Sequence, residues 1–238
     1  MKELISLDLP ACGLRAFMYY GMCLELNNHP HLSVDRVYGR SSGAIVGAFI
    51  LCIPPEDLED VYTRVLHYNK TMYIVDSFCK VLLEVLPVDA YIRCTNRLFV
   101  TCALWGYLSR TTSIFTDNRH LVQTLYTSGS LPFVTTSAWM SFHGRWPAFD
   151  GGLIDLLHTR RKSFPGQNRV IAVACPPSEC WPDRIPRSTN GHSQSVVDAS
   201  IEMGRQATRS FLLQPKQHSL MVWIEPDSVA GSPFGNMI

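Results

Sequence analysis

The sequence predicts an α/β protein with a mostly parallel sheet, and three observations carry that prediction. The N-terminal region alternates short strand-like and longer helix-like apolar stretches, in the order strand, helix, strand, helix. A glycine-flanked serine, Gly39-Arg40-Ser41-Ser42-Gly43, falls where the second strand should turn sharply into the second helix. The chain has 238 residues, 46% hydrophobic and 17% charged, which suits one large domain with a sizeable buried core.

The elements follow in order. Glu3 to Leu9 reads as a first strand, with a turn at Pro10-Ala11-Cys12-Gly13. Phe17 to Leu26 reads as a helix, with Phe17, Tyr20, Cys23 and Leu24 on one side. Strand Val34 to Tyr38 and helix Ala44 to Cys52 complete the opening unit. Pro54-Pro55-Glu56-Asp57 starts a helix through about Leu66, because proline and acids suit a first turn. Asp76 is expected to cap a helix from Ser77 to Leu86, ended by Pro87. Arg97 to Leu104 and Ser113 to Thr116 read as two strands joined across Gly106, and Asn118 as the cap of a helix to about Thr127. Asn168 to Cys175 is a strand signal, carried by Val170, Ile171, Ala172 and Val173. Ser178 to Ser195, rich in proline, serine and glycine, reads as a surface loop. Ser195 to Leu212 is an amphipathic helix, with Val197, Ile201, Gly204, Thr208 and Phe211 near one stripe. Leu220 to Ile224 is a last strand, and Gly231 to Ile238 a frayed tail.

Bulk properties exclude several function classes. A net charge of +1 gives no electrostatic argument for nucleic acid. The eight cysteines (Cys12, Cys23, Cys52, Cys79, Cys94, Cys102, Cys175, Cys180) form no C-x-x-C pair and read as buried free thiols of a reducing compartment. There is no H-E-x-x-H, no P-loop and no zinc spacing, and His29-Pro30-His31 reads as a turn. Leu4-Ile5-Ser6-Leu7, interrupted by Asp8 and Pro10, is too short for a signal peptide. The apolar runs Ala44 to Ile53 and Leu98 to Leu108 fall short of the roughly 20 residues of a membrane span. The expectation is a soluble, intracellular protein, cytoplasmic or in peripheral contact with a membrane or lipid-droplet surface.

The chemistry centres on Ser41. An elbow between a strand and a helix lifts a serine hydroxyl clear of its neighbours and places it at a helix N-terminus. There the unpaired N–H groups favour negative charge. Ser42 cannot be the motif serine, because Arg40 rather than glycine stands two residues before it. A nucleophile needs a base and an oxyanion hole. Phe149-Asp150-Gly151-Gly152 supplies the candidate base, an aspartate at a strand end with room to point its carboxylate into a cleft; the same tripeptide is also an ordinary turn signal. Ala11-Cys12-Gly13-Leu14-Arg15-Ala16, between the first strand and first helix, supplies the candidate nest of backbone N–H groups. His143 and His158 flank Asp150 and offer a competing base.

In this order the three pieces resemble the patatin-like phospholipase family, and Cys12-Gly13 is similar to the loop of its adiponutrin-type branch. Gly39-Arg40-Ser41-Ser42-Gly43 matches the nucleophile motif, with Gly39 and Gly43 as its glycines. Asp150-Gly151-Gly152 matches the base motif. Val85-Leu86-Pro87-Val88-Asp89 and Ser128-Gly129-Ser130-Leu131-Pro132 are further likenesses, and the resemblance runs from about Leu4 to Leu157 within a single domain spanning the chain. It implies a three-layer α/β/α fold and a lipid acyl hydrolase with a Ser41–Asp150 dyad, an acyl-serine intermediate and no cofactor or metal. It also implies an oxyanion hole from Gly13 and Leu14, with Cys12 and Arg15 beside them. The chain departs from the family at Ala11 and Ala16, where glycines are usual, at Arg40, where small residues are, and at Leu156 and His158, which replace an asparagine and a proline. Those departures keep two alternatives open, a lipid-binding protein with little or no turnover and a lipid acyltransferase using the same site.

Two features bear on lipid access. Leu131-Pro132-Phe133 and Trp139-Met140-Ser141-Phe142 fit ordinary core, an acyl pocket or a membrane-facing rim. Arg205 and Arg209, one turn apart, fit a solvated helix face or a headgroup contact.

Overall fold

A computed structural model describes residues 2–12, 16–104, 108–153, 169–174, 194–213 and 220–222. The strands are β1 (Glu3–Leu9), β2 (Leu32–Arg40), β3 (Leu98–Leu104), β4 (Leu108–Thr112), β5 (Ser141–His143), β6 (Trp146–Phe149), β7 (Arg169–Ala174) and β8 (Leu220–Val222). The helices are α1 (Ala16–Asn27), α2 (Ser42–Cys52), α3 (Leu58–Asn69), α4 (Ile74–Val85), α5 (Ala90–Cys94), α6 (Asn118–Ser128) and α7 (Gln194–Leu212). Among the described residues these strands join one sheet in the order β5-β6-β3-β2-β1-β7-β8, with β4 paired to β3. The pairings from β3 through β2, β1 and β7 to β8 are all parallel, and those of β4, β5 and β6 are antiparallel. The protein is therefore mixed α/β, with a mostly parallel central sheet surrounded by helices, as the sequence predicts.

Apolar residues on the central strands and on α2 fill the core. Ile5, Leu7 and Leu9 of β1, Val37 of β2, and Leu98 and Val100 of β3 are fully buried. Helix α2 is apolar all round, as a helix enclosed by protein should be, and buries Ala44, Ile45, Val46, Ala48 and Phe49. Helices α1 and α7 meet backbone to backbone. A Cβ on Gly21 would overlap the carbonyl of Ile201, and one on Gly204 that of Met18. The Glu25 carboxylate of α1, itself buried, takes Nε and a second nitrogen of Arg209 at 3.1 and 2.9 Å. That bond, ahead of the opposing cost of burial, holds the Glu25 carboxyl below its ordinary range. Arg209 thus has an internal partner that accounts for its place on the helix.

Three local expectations are corrected. Asp76 lies in the first turn of α4 rather than before it, and its carboxylate accepts from the Ser137 N–H at 3.0 Å. The partner of β3 is Leu108–Thr112, not Ser113–Thr116, because the antiparallel register sets Leu108 opposite Leu104 and Thr112 opposite Val100. The cap of α6 is Asp117, whose Oδ1 accepts from the His120 N–H at 2.8 Å, while Asn118 accepts from the Tyr91 N–H and donates to the Pro87 carbonyl. The short α5 and β5 had no signal of their own in the sequence. Six cysteines are free and buried, as expected, and Cys175 and Cys180 lie outside the described residues. So do the 178–193 stretch of the expected loop and the expected tail. Among the described residues no helix is long and apolar enough to cross a membrane.

Candidate active site

Two strands run toward each other along β3 and stop beside the same point. Parallel β2 ends at Arg40, opposite Thr101, and antiparallel β6 ends at Phe149, opposite Ala103. The residues that follow, Ser41 and Asp150, are thereby brought together from 109 positions apart. The Ser41 hydroxyl donates to Asp150 Oδ2 at 2.5 Å. Both residues are buried, each with 5% of its surface exposed.

Ser41 precedes α2 with φ 52° and ψ −128°, a left-handed conformation that costs a non-glycine residue on the order of 1–3 kcal/mol. The surroundings hold it there. Its N–H donates to Ser128 Oγ at 3.0 Å, and that hydroxyl donates to the Thr101 carbonyl at 2.7 Å. The flanking glycines are required by close approach: a Cβ on Gly43 would overlap the Leu9 carbonyl, and one on Gly39 the backbone of Ala44. Arg40 is buried and accommodated by charge, its guanidinium 3.0 Å from Asp8 Oδ1 on the neighbouring strand.

Asp150 is fixed by the same segment. Its N–H donates to the Ser130 carbonyl at 3.0 Å, and the Gly151 N–H donates to the Ser128 carbonyl at 2.8 Å. The Gly152 N–H donates to Asp150 Oδ1 at 2.6 Å, leaving Oδ2 for Ser41. A side chain at Gly151 would strike the Thr101 carbonyl, and one at Gly152 would strike Ala11. Residues 128–130 therefore bind both halves of the site. The sequence marked them only through their likeness to a family segment, because the bonds that matter come from backbone carbonyls and one small hydroxyl.

Of the expected oxyanion loop, Cys12 is buried beside the elbow. Its N–H donates to Ser42 Oγ at 3.1 Å, and its sulfur lies 3.3 Å from the same oxygen. Gly13, Leu14 and Arg15 lie outside the described residues, as do Leu156 and His158. Ala16 opens α1, and among the described non-glycine residues only Ser41, Asn96 and Phe133 have positive φ, so Ala11 makes no demand that glycine alone could meet. His143 sits at the end of β5, its Nε2 3.3 Å from Thr112 Oγ1; burial, then Arg110 and His120, press its pKa down. That ring nitrogen therefore faces Thr112 rather than Ser41 or Asp150. The described residues hold no cluster suited to a metal ion. Phe133, Trp139 and Phe142 are exposed, which places them at the surface rather than in the core.

No known family profile matches the chain, and no curated protein is similar to it in sequence. Among solved structures the chain is similar to VipD from Legionella pneumophila, with 12% sequence identity and a TM-score of 0.49. The match covers 71% of this chain and 49% of that one, so the chain spans about half the length of that protein.

Proposed function

We propose that the protein is a lipid acyl hydrolase of the patatin-like type, cleaving fatty-acyl esters with Ser41 as nucleophile and Asp150 as general base. One observation carries the reading, the direct Ser41 Oγ to Asp150 Oδ2 hydrogen bond at the end of a strained strand-to-helix turn. Serine is a weak nucleophile unless its proton has an acceptor within hydrogen-bond reach. Here the acceptor is a carboxylate oxygen, with no histidine between.

Ser41 Oγ attacks the ester carbonyl carbon as its proton passes to Asp150 Oδ2. The tetrahedral oxyanion collapses, the C–O bond to the leaving alcohol breaks, and Asp150 returns the proton to that oxygen. Water, deprotonated by Asp150, then attacks the acyl-Ser41 carbonyl; the C–Oγ bond breaks, Asp150 returns the proton to Ser41 Oγ, and the fatty acid is released. An aspartate of ordinary pKa, near 3.9, is a weak base for an alcohol. Much of the rate must then come from donors already aimed at the oxyanion, for which Gly13 and Leu14 are the nominated N–H groups. A phospholipid ester is the preferred substrate class, reached by peripheral contact with a lipid surface.

The engaged Cys12 N–H favours a second reading, a lipid-binding protein that keeps the fold with little turnover. Labelling of the purified protein with a fluorophosphonate, read by intact mass and peptide mapping, separates the two. One adduct, on Ser41 and lost in Ser41→Ala, is expected of the hydrolase. Absence of an adduct on folded protein would move the assignment to the binding protein.

A further inference from the structure

Away from the dyad, β4, α6 and the β5–β6 hairpin enclose a groove of about 660 Å³. Two arginines and two histidines line it: Arg110 from β4, His120 from α6, His143 from β5 and Arg145 from the hairpin turn. Among the described residues no acidic side chain lines it. The nearest in sequence, Asp117, is committed to the His120 N–H and the Thr116 hydroxyl. Among the described residues neither Arg110 nor Arg145 has an ion-pair partner. Phe142 and Trp146 line the same groove with 47% and 54% of their surfaces exposed. A cationic hollow beside aromatic side chains turned to solvent matches an interface that is anionic at the headgroup level and apolar just beneath it.

We propose that this groove binds the phosphate of an anionic membrane lipid, with Phe142 and Trp146 entering the headgroup region beside it. The commitment to a lipid surface, rather than to free phosphate, rests on that aromatic rim, which a soluble anion would leave in water. The proposal stands apart from turnover at Ser41. It has a consequence for the site all the same, because Trp146 and Asp150 belong to one ribbon about 13 Å apart at roughly 3.3 Å per residue. The surface that docks is thus the ribbon that presents the candidate base.

Ser41→Ala protein, which leaves lipid intact, is tested by co-sedimentation with phosphatidylcholine vesicles and with vesicles doped with phosphatidylglycerol. Binding to the doped vesicles, weakened by salt and much weaker on the neutral ones, is expected. Each arginine contributes about five-fold near an anionic surface, so Arg110→Gln with Arg145→Gln should weaken binding about 25-fold. Trp146→Ser, on an exposed side chain, should weaken it independently, with thermal melts confirming that each variant folds. Equal binding to both vesicles, or unchanged binding by the folded double variant, would overturn the proposal. So would full displacement from vesicles by glycerol 3-phosphate, or preference for a single-stranded oligonucleotide.

Discussion

Arg40 meets Asp8 at 3.0 Å across two adjacent strands, one residue before the strained Ser41. The pair explains how a long charged side chain is accommodated, buried, directly before the turn. Removing one partner leaves the other charge poorly solvated, so Arg40→Met should cost about 3 kcal/mol in urea unfolding. Asp8→Leu in the same chain should recover a large part of that loss, because an apolar pair of similar volume replaces the charges together. Equal stability of Arg40→Met and the parent would show that the ion pair is irrelevant to the turn.

Ser128 joins the two halves of the site through one hydroxyl, accepting from Ser41 N–H and donating to the Thr101 carbonyl. Ser128→Ala should destabilise by about 1–3 kcal/mol, since it removes a hydrogen-bond partner from two backbone groups, the Ser41 N–H and the Thr101 carbonyl. The elbow loses its tether while the substrate-binding surface is untouched. With a soluble ester, kcat should therefore fall and KM stay close to the parent value. A change confined to KM would remove Ser128 from the positioning of Ser41.

The dyad itself gives a sharper kinetic expectation. Asp150→Asn keeps the shape of the side chain but cannot take the Ser41 proton, and general-base catalysis of this kind contributes roughly 10²–10⁴-fold. A loss of that size with an unchanged melting curve fits the assigned role. Retained turnover in the purified variant would rule it out.

The mostly parallel α/β order of strands and helices was legible, and so were the two residues that the structure brings together, Ser41 and Asp150, because each follows from local pattern: apolar runs of strand length, a glycine-flanked turn, an Asp-Gly-Gly at a strand end. The convergence of β2 and β6 on Thr101 and Ala103 was not, because register across a sheet is set by tertiary packing rather than by either strand. Arg40 read as an anomaly until its partner Asp8 was placed beside it, and nothing in either residue alone announces the pair. Phe133, Trp139 and Phe142 have the composition of core, and their exposure appears only once the sheet edge is built. Asn118 and Asp117 are both good caps, and the choice fell to Asp117 because Asn118 is drawn off by Tyr91 and Pro87.

Acid should loosen the contact between α1 and α7 through Glu25. Its bond with Arg209 lowers the folded-state pKa below the ordinary 4.5. A depressed carboxyl contributes stability that is full above the unfolded value and lost as pH falls through the folded one. The parent should therefore exceed Arg209→Met in stability at neutral pH, and the gap should close as the pH drops below about 4. Unfolding curves over that range check the sign, and a gap independent of pH would assign the contact to packing alone.

Gly43 and Gly144 make a paired test of space against conformation. Gly43 lies in α2, where alanine would ordinarily gain about 1 kcal/mol over glycine. Its Cβ would overlap the Leu9 carbonyl, a backbone atom of the central strand that has no room to retreat, and overpacking of this kind costs typically 1–3 kcal/mol. The clash should win, so Gly43→Ala should destabilise and also displace the Ser41 turn it follows. Gly144 has φ 61° in the β5–β6 turn with open space around it, so alanine there meets only backbone strain, about 1 kcal/mol. Thermal melts of the two variants should rank Gly43→Ala as the more damaging, and only that variant should also lose fluorophosphonate labelling at Ser41.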